Sequence, residues 1–199
     1  MNFIEKKFTI PELAGISQKT IEEHLKLYSG YVKSANLILE KITELRKDAD
    51  EITKNTYLIS ELQRRFSFEF DGMRNHEYYF EQFEGGFNST SEQNDLKEKV
   101  KETWGSFENW LIRFKEIAMT RGVGWAVLYY DKKTNTLNHS WVEEQHLGHL
   151  TGASIILALD MWEHSYMLDY VPSEKKKYVE AFFENLNWTI VEKRYLDVK

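Results

Sequence analysis

The stretch Asp160-Met161-Trp162-Glu163-His164 places a carboxylate and an imidazole four residues apart, directly after the apolar run from Ser154 to Leu159. The run reads as a buried strand. A strand that ends in Asp and passes at once into a turn carrying His can aim both side chains into one cavity. There a carboxylate oxygen and a neutral imidazole nitrogen suit a first-row transition metal. Two more ligands would complete such a site, so the rest of the chain has to bring them to the end of this strand. Taken alone, the pentapeptide also fits a strand-end Asp that caps a helix beside a structural His.

The chain has material for a dry interior. Its 199 residues are 42% apolar and include 12 Phe, 11 Tyr and 6 Trp, enough for one core or two small lobes. With 32 acidic and 26 basic residues the net charge is −6, and no long run of like charge offers a groove for nucleic acid. The absence of cysteine removes disulfides, thiolate metal sites and thiol nucleophiles, leaving nitrogen and oxygen as metal ligands. No apolar stretch approaches the ~20 residues that span a bilayer, so no membrane partner is expected. The segment Met1 to Lys7 lacks the apolar core of a signal peptide, and a cytoplasmic location is expected.

Helical periodicity dominates the first half. Ser17 reads as an N-cap, followed by Ile21, Leu25, Tyr28, Val32, Ala35 and Leu39 at alternating spacings of four and three. A second helix is predicted from about Thr53 to Arg65, and Met73, His76, Phe80 and Phe83 share a helical face beyond it. Gly85 to Ser91 is the clearest loop and sets the expected domain boundary, with an N-terminal helical hairpin domain over 1–90 and a C-terminal α/β domain over 91–199. In the second half, helices are predicted over Asp95 to Thr103 and Ser106 to Met119. Strands follow over Gly122 to Tyr130, Leu137 to Glu143 and Ile155 to Leu159, the first two joined by a turn at Asp131 to Thr136. Helices over Met161 to Tyr170 and Ser173 to Leu186 close the outline. The fold class is α+β, with a three-stranded antiparallel sheet in the C-terminal lobe.

Six histidines are available, and a lone His on an amphipathic helix is usually a packing or surface residue. His24 stands out because Tyr28 and Tyr31 follow it at i+4 and i+7 on one face. His76 stands out for its aromatic setting. His139 and His149 read as surface or packing residues.

Ile16 to His24, Asn75-His76-Glu77-Tyr78-Tyr79, Gly105 to Glu108, Gly124-Trp125 and Asp160 to Tyr166 occur in the order and approximate spacing of the iron/manganese superoxide dismutases, which this chain resembles over about residues 8–195. The resemblance implies one ion per chain, held by His24, His76, Asp160 and His164 with water or hydroxide as fifth ligand. It implies conversion of superoxide to dioxygen and hydrogen peroxide by one-electron cycling of that ion. Three neutral imidazoles, a carboxylate and a hydroxide leave a trivalent ion at a net charge of about +1, low enough to bury.

Tyr31 corresponds to the family's gateway tyrosine, and Trp125 and Trp162 to walls of the pocket. A Gln that hydrogen-bonds the solvent ligand comes, in iron enzymes, commonly from four residues before the second His, and in manganese enzymes from upstream of the Asp signature. The first place here holds Gly72, the second Gln145, with Glu144 and His146 as neighbouring alternatives; the pattern resembles the manganese type. Three positions depart from the family. Leu27-Tyr28 stand where relatives carry a gateway His, which makes Tyr28 a candidate catalytic residue. Met167 replaces that histidine's tyrosine partner, and Phe80 replaces a pocket Trp. The resemblance further implies a homodimer in which Glu163 reaches His164 of the other chain. Two rival readings remain at this stage: a di-iron carboxylate bundle, for which the only Glu-x-x-His is Glu143 to His146, and a non-catalytic interaction protein on the same fold.

Overall fold

The computed structural model describes residues 2–89 and 94–199. The expected domain boundary, between Thr90 and Ser91, lies outside the described residues.

Helix α1 (Gln18–Leu45) starts where Ser17 accepts a hydrogen bond from the Thr20 amide, satisfying one of the donors that a helix start leaves open. Its buried stripe runs through Ile21, His24, Tyr28, Val32, Ala35 and Ile38. The far end is centred on Ile38 instead of the predicted Leu39. A short helix α2 (Ala49–Lys54), capped by Asp48, leads into α3 (Thr56–Glu81). The predicted stop at Arg65 does not occur. No proline or glycine interrupts 65–71, and Arg65 pairs with Glu69 one turn on, so the aromatic segment continues the helix. The two long helices run in opposite directions: His24 meets Tyr79 and Phe80, while seven residues later Tyr31 meets Phe68 and Gly72.

Helices α4 (Asp95–Trp104) and α5 (Phe107–Ala118) follow, capped by Asn94 and Ser106 and separated by Gly105 at φ 84°, a left-handed conformation that favours glycine. Strands β1 (Gly124–Asp131), β2 (Thr136–Glu143) and β3 (Ser154–Asp160) form an antiparallel sheet of order β2-β1-β3. The central strand β1 is buried almost throughout, as its apolar sequence requires. Register places Trp125 between Val142 and Asp160. The outer edge of β3 is covered by a side chain: Gln82 Nε2 donates to the Ala158 carbonyl at 2.7 Å, and Gln82 Oε1 accepts from the Ala158 amide at 3.2 Å, standing in for a missing strand.

The predicted helix from Met161 to Tyr170 is replaced by a single 3₁₀ turn, Glu163–Ser165. Side chains take the backbone partners a helix would use. Asp160 Oδ1 accepts from the Trp162 amide, and Ser165 Oγ donates to the carbonyls of Asp160 and Trp162. Helix α6 (Lys175–Asn185) then packs against the end of α3, its Phe182 stacking on Tyr79. A last helix, α7 (Trp188–Val198), was not predicted; it begins at Asn187, whose side chain accepts from the Thr189 amide. Among the described residues no helix is long and apolar enough to cross a membrane.

Candidate metal centre

Four side chains from four elements of the fold converge. His24 comes from α1, His76 from α3, Asp160 from the last position of β3 and His164 from the turn that follows. Three imidazole nitrogens meet one carboxylate oxygen: Asp160 Oδ2 lies 3.0 Å from His24 Nε2, 3.2 Å from His164 Nε2 and 3.6 Å from His76 Nε2. Ligand atoms bonded at about 2.1 Å to a shared ion, at angles of roughly 90–120°, would be separated by about 3.0–3.6 Å, so the residues fit a small transition-metal ion. His24, His76 and Asp160 are fully buried, and the His164 side chain is 20% exposed.

The outer bonds of these groups set their chemistry. His76 Nδ1 donates to the Gly72 carbonyl at 2.6 Å, which fixes the ring's hydrogen there and leaves Nε2 with its lone pair aimed into the cluster, buried and without a protein partner. Burial, together with the neighbouring His24, lowers the His76 pKa to about 3; burial likewise lowers that of His24. For Asp160, burial pushes the carboxyl up, but the imidazoles of His164 and His24 outweigh it and hold it below the usual carboxylate range. Neutral imidazoles at His24 and His76 beside an ionised Asp160 are the protonation states a cationic metal requires. The Asp160 carbonyl is fixed by Tyr178 Oη at 2.9 Å, and Tyr178 is itself hydrogen-bonded to Tyr79 at 3.1 Å.

Around the cluster the walls are aromatic. Phe80 lies 4.9 Å from His24, Tyr31 5.0 Å and Trp125 5.1 Å from His76, and Trp162 stacks on His164 at 5.7 Å. Gln145 is fully buried between two of these walls. It accepts from Trp125 Nε1 and donates through Nε2 to Tyr31 Oη, both at 2.9 Å. Tyr31 lies against Gly72 so closely that a Cβ there would stand 2.6 Å from its ring. A glycine four residues before His76 therefore makes room for the tyrosine that Gln145 binds.

Of the residues singled out in the sequence, His24, His76, Asp160, His164, Tyr31, Trp125 and Gln145 are brought together. Tyr28 is not among them: its hydroxyl accepts from the Lys6 amide at 2.9 Å and donates to Glu77 at 3.2 Å. Leu27 and Met167 are exposed. Glu143 to His146 spans the end of β2 and a turn, which removes the Glu-x-x-His helix a di-iron bundle would need. Sequence reasoning missed Tyr178 and Gln82, which steady the β3 end of the cluster; neither carries a local motif, and only the tertiary contacts reveal them.

A buried set of three imidazoles and one carboxylate, walled by aromatic rings, defines the class of mononuclear metal sites with nitrogen and oxygen ligands. Comparison with known proteins specifies the class further. The profile of the iron/manganese superoxide dismutases, C-terminal domain, matches residues 92–194. The iron superoxide dismutase of Methanothermobacter thermautotrophicus is 32% identical over 214 aligned positions, covering 100% of both chains. That of Cupriavidus metallidurans is 34% identical over 89% of this chain and 87% of its own. A manganese superoxide dismutase of Halobacterium salinarum is 44% identical, over 47% of this chain and 46% of its own. The chain belongs to the iron/manganese superoxide dismutase family, and superoxide dismutation with iron or manganese is its activity.

Proposed function

We propose that His24, His76, Asp160 and His164 hold a single manganese ion and that Gln145, Tyr31 and Trp125 govern its reaction with superoxide. The observation that carries this reading is the meeting of three imidazole nitrogens at Asp160 Oδ2, at 3.0, 3.2 and 3.6 Å. When bound, the ion supplies the one-electron acceptor and donor that the two halves of dismutation need. The protein supplies charge balance, dryness and protons. Tyr31 Oη accepts a hydrogen bond from Gln145, so its own hydrogen is free to point toward an incoming anion. Burial and the charge of Asp160 raise the Tyr31 pKa, which keeps that hydrogen in place at neutral pH. Trp125 holds the oxygen of the Gln145 amide, which leaves the NH₂ end turned to the reacting side.

Manganese is favoured over iron by the pairing of Gln145 with Gly72. Manganese(III) is the stronger intrinsic oxidant and needs the larger downward correction of potential, which the Gln145 amide would supply as a hydrogen-bond donor beside the bound ion. The test is to load apoprotein separately with each ion and compare turnover at equal occupancy. Manganese activity is expected to exceed iron activity; iron activity far above manganese contradicts this role of Gln145.

The same reading makes the protein a homodimer in which Glu163 bonds His164 of the second chain. Glu163 is exposed and makes no side-chain hydrogen bond or ion pair among the described residues, and Met167, Leu168 and Val171, which follow the cluster, expose apolar surface. Sedimentation is expected to give twice the chain mass of 23.7 kDa. Glu163→Ala should weaken both association and metal retention. A monomer with a full, active metal site contradicts the dimer.

A further inference from the structure

His149 reads in the sequence as a surface or packing residue, yet the structure joins it to the backbone of Gln145. The Gln145 carbonyl is held from two sides, by Asn75 Nδ2 at 2.9 Å and by His149 Nε2 at 3.2 Å. Since a carbonyl can only accept, Nε2 carries the hydrogen that reaches it, and Nδ1 on the other side of the ring stands 2.6 Å from Tyr129 Oη. Burial, with the charge of Asp71, raises the Tyr129 pKa and keeps its hydroxyl protonated. Tyr129 lies in β1, four residues after Trp125, whose indole holds the other end of Gln145.

The loop that carries Gln145 needs such an anchor. Glu144, the residue before it, has φ 51°, a left-handed conformation costly for a side chain with a Cβ. Its carbonyl is held by Trp162 Nε1 at 3.1 Å and its amide by the Val123 carbonyl at 2.9 Å. Gln145 must then leave this turn with its amide aimed at Tyr31. The grip of Asn75 and His149 on its carbonyl fixes the backbone from which that amide reaches Tyr31 and Trp125.

We propose that His149, oriented by Tyr129, is a positioning residue that fixes the Gln145 backbone and thereby the hydrogen bond that tunes the metal's potential. This rests on the role proposed for Gln145 above. An amide whose backbone is free to shift would donate less well toward the bound ion's side of the pocket, so the downward correction of potential would be partly lost.

The test is mediated redox titration of the purified, metal-loaded enzyme, with thermal unfolding of each variant as a control for folding. His149→Ala is expected to raise the midpoint potential by about 59 mV, a tenfold change in the one-electron equilibrium. Manganese turnover should fall roughly tenfold, as for loss of other partners outside a ligand set. His149→Gln, which keeps a donor of similar reach, should remain within about threefold of wild type. Tyr129→Phe, which removes one hydroxyl and keeps the ring, should shift the potential in the same direction and covers the case in which His149→Ala fails to fold. If the alanine variant unfolds earlier while its potential stays at the wild-type value, His149 is structural and the inference is overturned. A shift that His149→Gln does not reverse overturns it too. Gln145→Ala separates the two layers: an unmoved potential there removes the role of Gln145 and this inference with it, whereas a shift there without one in His149→Ala removes the inference alone.

Discussion

Asp160→Ala is expected to lose metal retention and turnover by more than about 100-fold, beyond the range seen when partners outside a ligand set are removed. The reason is geometric and electrostatic together. Asp160 Oδ2 is the atom at which His24, His76 and His164 meet, and it is the only negative charge in the cluster. Three neutral imidazoles cannot offset a divalent or trivalent ion in a fully buried pocket, where an uncompensated charge is costly. The substitution also removes the acceptor for the Trp162 amide, which helps hold the turn that presents His164. Asp160→Asn keeps that acceptor and the shape while removing the charge. If charge dominates, it should resemble Asp160→Ala in metal content while unfolding more like wild type. Metal content and turnover unchanged in Asp160→Ala would remove the residue from the ligand set.

Gly124→Ala is expected to have the second largest effect, through the fold. Gly124 opens β1, and a Cβ there would stand 2.1 Å from the Val142 carbonyl oxygen, a backbone atom that cannot move without parting β1 from β2. The Gly124 carbonyl accepts from the Met161 amide at 2.8 Å, directly after Asp160. One methyl group therefore pushes at the junction of Trp125, the chain leading to Gln145, and the Asp160 turn. Overpacking of this kind costs about 1–3 kcal/mol, and the strain falls where metal binding needs the geometry most. The expected result is a lower unfolding midpoint together with reduced metal retention, read by denaturant melts with and without added manganese. A wild-type midpoint would mean that β2 yields at no cost.

Much of the site was legible in the sequence because its parts sit in local patterns. An apolar run followed by Asp160 and His164 states both strand and turn, and His24 falls on the buried stripe of a capped helix. Gln145 was legible only through resemblance, since nothing in its own neighbourhood marks it as the residue between Tyr31 and Trp125. The misread elements have separate causes. Periodicity extends a helix over Met161 to Tyr170, but the side chains of Asp160 and Ser165 claim the backbone groups that a helix would need. The aromatic residues after Arg65 disguise a continuous helix that tertiary packing maintains. Tyr28, matched by position to a gateway residue, turns its hydroxyl to Glu77 and the Lys6 amide because the helical step from His24 carries it onto the face covered by the N-terminal segment. Contacts made across long separations in the chain, such as Gln82 on Ala158 or Asn75 on Gln145, leave no trace in composition or spacing.

The central claim, that one redox metal held by His24, His76, Asp160 and His164 performs the dismutation, is tested most directly by counting iron and manganese in the purified protein alongside its superoxide turnover. About one ion per chain is expected, with turnover rising in proportion to occupancy and both lost in Asp160→Ala. Turnover that persists in protein stripped of iron and manganese, or full occupancy without any turnover, would contradict it.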